Sequence, residues 1–230
     1  MCRGGWNFGW HSKGAPSIRR RVMMMMMANE MAIGILAYGS LIDNPGAELQ
    51  AVISEIRKDV PTPFKVEYAR ASKTRDGGPT LVPLDTGGQV RAALLVLKPA
   101  VTILQATDML YRREIGRVGS SKSYTPTTGP NGVHVKRLAN ALGVATVLYT
   151  SIPGNITPLT PKELARRAIE SARGAAGADQ QDGISYLRRA IEIGIETPMT
   201  PDYVKEILEI TGTEGLQAAW ASVRQSVRSN

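Results

Sequence analysis

Strand-like segments predominate as far as Thr150 and only helical ones follow Pro153, and this order constrains the fold more than any other feature of the sequence. Ile33-Gly34-Ile35-Leu36-Ala37-Tyr38 is a short apolar run closed by Gly39-Ser40, as in a buried strand. Leu49, Val52, Ile53 and Ile56 recur at helical spacing, which predicts a helix stopped by Pro61 and Pro63. Residues 64–71 and 80–84 read as strands, separated by the polar, Gly-rich loop 72–79. Asp85-Thr86-Gly87-Gly88 has hairpin chemistry, so residues 89–97 are expected to return beside the strand before it. Pro99 is expected to open a helix that carries Ile103, Leu104, Ala106, Met109 and Leu110 toward Glu114. A loop over residues 116–131 follows; loops of this length in a compact domain usually serve function or move. Residues 133–137 and 144–150 supply two more strands.

Beyond Pro153 the pattern is helical. Thr160-Pro161-Lys162-Glu163 reads as a capping box with proline in the first turn, so a helix starts there. Residues 185–195, 201–210 and 216–227 predict further helices. No internal repeat occurs. Strands first and helices last imply an α+β fold: a mixed or barrel-like sheet with flanking helices and a helical C-terminal region over 160–230. A doubly wound parallel sheet would alternate the two. Residues 32–230 are expected to form one domain.

Charge argues against nucleic acid as the partner once it is divided along the chain. The net +8 splits evenly: residues 1–31 hold five basic side chains and one acidic, and the rest holds 23 and 19. A body of +4 with no basic run suits solubility and a small anionic substrate. The basic, Met-rich segment 1–31 has no periodicity and is expected to be a disordered or mis-assigned extension. Its apolar stretch 22–28 is far too short for a membrane span. Cys2 is the single cysteine, so no internal disulfide forms, and a reducing cytoplasm is expected.

Several site types fail on residue supply. The two histidines, His11 and His134, make no metal spacing with each other or with Cys2, so no His/Cys metal site is expected. Ser40 does not sit in a Gly-x-Ser-x-Gly turn, and no Walker or Gly-x-Gly-x-x-Gly loop occurs. Two features are left. Gly39 directly after a buried strand lets the amides of Gly39, Ser40 and Leu41 face open space, although a simple strand-ending turn looks the same. Glu114 closes an amphipathic helix. There it is either a surface carboxylate paired with Arg112 or Arg113, or a core-facing one whose burial raises its pKa into the range of a useful acid or base.

Together these residues resemble the γ-glutamylcyclotransferase superfamily. Its members begin with an apolar strand running into Tyr-Gly-Ser-Leu, as in Ile35 to Leu41 here, and carry a catalytic glutamate on a later helix. Met109-Leu110-Tyr111-Arg112-Arg113-Glu114 is similar to the Tyr-Leu-x-x-Arg-Glu motif of the glutathione-specific, ChaC-like branch. The loop 72–79 resembles that branch's Arg-Gly loop, and residues 163–193 its C-terminal helices. The match departs at Arg91-Ala92-Ala93, where relatives often have glycine, and at the loop 116–131. The resemblance implies release of 5-oxoproline from a γ-glutamyl amide by attack of its own α-amine, with Glu114 as general acid and base. It also implies substrate binding by Tyr38, Gly39, Ser40 and Leu41, with Arg75 as a carboxylate anchor and Tyr149 as a hydrogen-bond donor. A monomer or homodimer without membrane attachment fits it. An amide hydrolase or acyltransferase on the same fold, or a non-catalytic small-ligand binder, are the alternatives.

Overall fold

The computed structural model describes residues 31–127, 129 and 132–228. What was expected of residues 1–30, including Cys2 and His11, lies outside the described residues. In chain order the elements are β1 (Ile33–Ala37), α1 (Ser40–Asp43), α2 (Ala47–Val52), β2 (Ile53–Pro61), β3 (Val66–Ala71), a single 3-10 turn (Lys73–Arg75), β4 (Pro79–Pro83) and β5 (Arg91–Leu97). Then come α3 (Ile103–Glu114), β6 (His134–Ala141), β7 (Val144–Ser151), α4 (Pro161–Arg173), α5 (Ala175–Ala178), α6 (Gly183–Glu192), α7 (Thr200–Thr211) and α8 (Leu216–Arg228).

The fold is α+β. A five-stranded sheet runs in the order β2-β5-β1-β7-β6, and β3 and β4 make a separate two-stranded ribbon. The sheet is mixed: β1 pairs antiparallel with β5 and parallel with β7. It ends at β2 and β6 and does not close, so the barrel-like form is not adopted. Alternation along β1 and β5 serves two cores. Ile33, Ile35, Ala37 and Leu95 pack with Ala106 and Leu110 of α3 on one face, while Leu36, Leu94 and Val147 fill the other. A third core joins the β3–β4 ribbon to the C-terminal helices through Tyr68, Leu81, Leu164, Ile184 and Leu187. Among the described residues, no helix is long and apolar enough to cross a membrane.

Three sequence expectations are corrected. The helix expected across Leu49 to Ile56 stops at Val52, and Ile53 onward is edge strand β2. Two register shifts, between Ile53 and Glu55 and between Arg57 and Val60, break the two-residue alternation of this strand. The helical spacing thus joins Leu49 and Val52 of α2 to Ile53 and Ile56 of the strand, where Ile56 is exposed. The turn at Asp85 to Gly88 does not make a hairpin: β4 pairs with β3, while β5 crosses to β2 and β1. Local turn chemistry bends the chain there, but Gly88 bridges to Val66 and delivers β5 to the other sheet. Finally, α3 begins after Thr102 rather than at Pro99. Thr102 Oγ1 accepts from the Gln105 amide at 3.2 Å and the Gln105 side chain accepts from the Thr102 amide at 2.9 Å. Leu104, expected on the apolar face, is 70% exposed.

Candidate active site

Tyr38 and Gly39 follow β1 where it runs out between β5 and β7. Gly39 has φ 60° and ψ −138°, a conformation open only to glycine. A side chain there would also run into the Tyr186 hydroxyl. The turn starts the short helix α1, whose first amides have no side-chain cap. Ser40 and Leu41 thus sit in the turn that leaves β1, Leu41 buried and Ser40 partly exposed.

Glu114 ends α3. Its Oε1 accepts from Arg113 Nη1 at 2.7 Å, and both side chains are largely shielded, 13% and 15% exposed. Arg113 also donates through Nε and Nη2 to the Asn44 carbonyl, at 3.0 and 2.9 Å, and through Nη2 to Ser40 Oγ at 3.1 Å. One guanidinium therefore ties the end of α3 to the Gly39–Asn44 turn. Arg112 faces elsewhere, gripping Glu48 with contacts of 2.9 to 3.1 Å. Of the two environments open to Glu114, the structure combines a part of each: it is withdrawn from solvent, and it is paired with Arg113.

A cavity of about 660 Å³ brings these groups together, except Gly39, which lines a smaller neighbouring cavity and not this one. Tyr38, Ser40, Leu41, Arg75, Glu114 and Tyr186 all line it. Tyr38 donates to the Thr150 carbonyl at 2.6 Å, and burial above all, then the charge of Glu114, holds its hydroxyl proton on far above the usual tyrosine range. The phenol can therefore only accept from a ligand. Arg75 lies 4.7 Å over the Tyr186 ring and donates to the Gln181 carbonyl at 2.8 Å. Burial pushes its guanidinium down from the ordinary arginine range; among the described residues it is in no ion pair at contact distance, although the Asp182 charge acts on it. The loop carrying it is held by two contacts: Asp76 Oδ2 accepts from the Ala176 amide at 2.7 Å, and the Ser171 hydroxyl donates to the Arg75 carbonyl.

Tyr149 is not part of this cavity. Strand alternation turns it toward Phe64, on which its ring stacks at 4.4 Å, while its neighbour Thr150 lines the cavity. The expected Tyr149 donor role is therefore corrected. Conversely, the sequence reading passed over Tyr186 and the anchoring role of Arg113. Tyr186 sits on the buried face of a helix that was expected from residue 185, and the Asp182 cap at its start was a visible signal. Asp182 Oδ1 accepts from the amides of Ile184 and Ser185 at 2.8 and 3.0 Å. Nothing local links that tyrosine to Gly39.

Among the described residues no group of three or more His, Cys, Asp or Glu side chains gathers as a metal site. What the cavity offers is one carboxylate, several cationic side chains with Arg75 in no ion pair among the described residues, the Ser40–Leu41 turn and two shielded phenols. Such a set can bind an anion-bearing small molecule and exchange a proton with it. Compared with known proteins, the chain matches no family model and no curated sequence.

Proposed function

We propose that the protein is a γ-glutamylcyclotransferase that splits a γ-glutamyl amide into 5-oxoproline and the free amine, with Glu114 as its general acid and base. The observation that carries this reading is that Glu114 and the Ser40–Leu41 turn line the same cavity, together with Arg75. A volume of about 660 Å³ suits a ligand the size of a small peptide.

In this reading Arg75 holds a substrate carboxylate through its planar fork. Glu114 takes a proton from the substrate's α-ammonium, and the freed amine attacks its own γ-carbonyl. The new N–C bond closes a five-membered ring, and the negative charge on the carbonyl oxygen rests on the amides of Ser40 and Leu41. The old C–N bond then breaks as Glu114 returns the proton to the leaving nitrogen, and the ring nitrogen's second proton passes through Glu114 to the departing amine, which leaves as an ammonium. Because nucleophile and carbonyl share one molecule, folding the substrate supplies much of the rate. The chemistry calls for no metal or organic cofactor, and the reading places the protein in the cytoplasm.

The test is incubation with glutathione, γ-glutamyl amino acids and γ-glutamylamines, followed by assay for 5-oxoproline. Release of glutamate in its place identifies a hydrolase. A second reading has one specific support, the Arg113–Glu114 ion pair, which occupies an oxygen that catalysis needs. It makes the protein a non-catalytic binder of the same small molecules; retention of a γ-glutamyl compound without turnover distinguishes it.

A further inference from the structure

A second cavity, of about 250 Å³, adjoins the first. Ser40, Asn44, Arg75, Arg113 and Tyr186 line both and so form the partition between them. The smaller cavity adds Asp43, Gln181, Ser185 and Arg189. Two of its three guanidiniums are already matched. Arg189 grips Asp43 through Nε and Nη2 at 2.8 and 2.9 Å, and Arg113 holds Glu114. Arg75 is the third: among the described residues it is in no ion pair at contact distance, and the Asp182 carboxylate acts on it only at longer range. A half-buried guanidinium that is in no ion pair leaves the partition favouring a ligand that brings negative charge. The smaller cavity adds Gln181 at its rim and a net excess of positive side chains.

We propose that the smaller cavity is a second binding site, for a small oxyanion bearing a carboxylate or phosphate group, with Arg75 as its principal contact. The site is separate from the chemistry assigned to Glu114, and occupancy is read as binding, so it stands or falls apart from that reaction. Because Arg75 belongs to both cavities, an oxyanion in the smaller one competes with the anion held in the larger. By linkage, the reverse effect is equal.

The experiment is calorimetric titration of the full chain with inorganic phosphate and, separately, with succinate, at fixed ionic strength. Saturable binding of either anion is expected, and which one binds identifies the phosphate or the carboxylate class. Gln181→Glu puts a negative charge on the rim of the smaller cavity alone and should weaken that binding about tenfold or more. Ile152→Glu puts the same charge into the larger cavity alone and should leave it unchanged. Neither position is fully buried, so both variants keep the fold, which matching melting temperatures verify. Absence of saturable binding by both anions overturns the proposal. So does binding that Ile152→Glu weakens and Gln181→Glu does not.

Discussion

Arg113 and Glu114 are consecutive residues of one helix, yet their side chains meet in an ion pair at 2.7 Å. Neighbours along a helix normally diverge. These two converge because the helix ends there and Arg113 is drawn across to Asn44 and Ser40. The pair thereby fixes where the carboxylate stands relative to the Gly39–Leu41 turn, and it determines how variants at the site behave.

Glu114→Gln should lower the rate of 5-oxoproline formation by about 100- to 10,000-fold, the range of a lost general acid–base group. Arg113 keeps its bonds to Asn44 and Ser40 in this variant, so the fold and ligand binding persist. Parallel measurements of turnover and ligand-induced melting shift check both halves. Undiminished turnover would remove Glu114 from the chemistry.

Gly39→Ala should destabilise the protein by about 1–3 kcal/mol, from the cost of a conformation reserved for glycine. The new methyl group also meets the Tyr186 hydroxyl. Denaturant unfolding of Gly39→Ala, Tyr186→Phe and the double variant should therefore give non-additive changes, since the phenylalanine removes the atom that clashes. Strict additivity would show that the two residues do not press on each other.

Arg75→Lys should weaken binding of an anionic ligand about tenfold or more, because an ammonium cannot reproduce the bidentate fork. Tyr149→Phe should leave binding unchanged, because Tyr149 stacks on Phe64 away from the cavity. Equilibrium binding on the two variants side by side separates a cavity residue from a core one.

Acid should loosen the start of α4. Arg166, bonded at 2.8 Å through both Nε and Nη2, and then the charge of Arg167, hold the Glu163 carboxyl down at about 2, against an ordinary 4.5. A depressed value means the carboxylate's contribution is complete above 4.5 and is lost as pH falls from there through about 2. Melting temperature followed by circular dichroism should drop across that window, and Glu163→Gln should drop less.

The parts of the site carried by short-range patterns were legible in the sequence. Ile33 to Tyr38 announced a buried strand, and Gly39 announced the special turn that its φ of 60° requires. The periodicity of residues 103–110 led to Glu114. Other parts depend on how distant elements are docked. Tyr186 reaches the site only because the C-terminal helices pack on the β3–β4 ribbon. In β2 the bulges erase the alternation by which a strand is recognised. Tyr149 was misassigned because a strand's end is visible in sequence but its face is not: one residue further along, Thr150 has the orientation that Tyr149 lacks.

The larger cavity is bounded on one side by the turn that leaves the five-stranded sheet and on the other by Arg75 and Tyr186, which belong to the ribbon and helices. A molecule seated between them works as a clamp across the seam. It adds to the Arg189–Asp43 ion pair that already spans the seam, so its binding should slow hydrogen exchange in both halves and not in one alone.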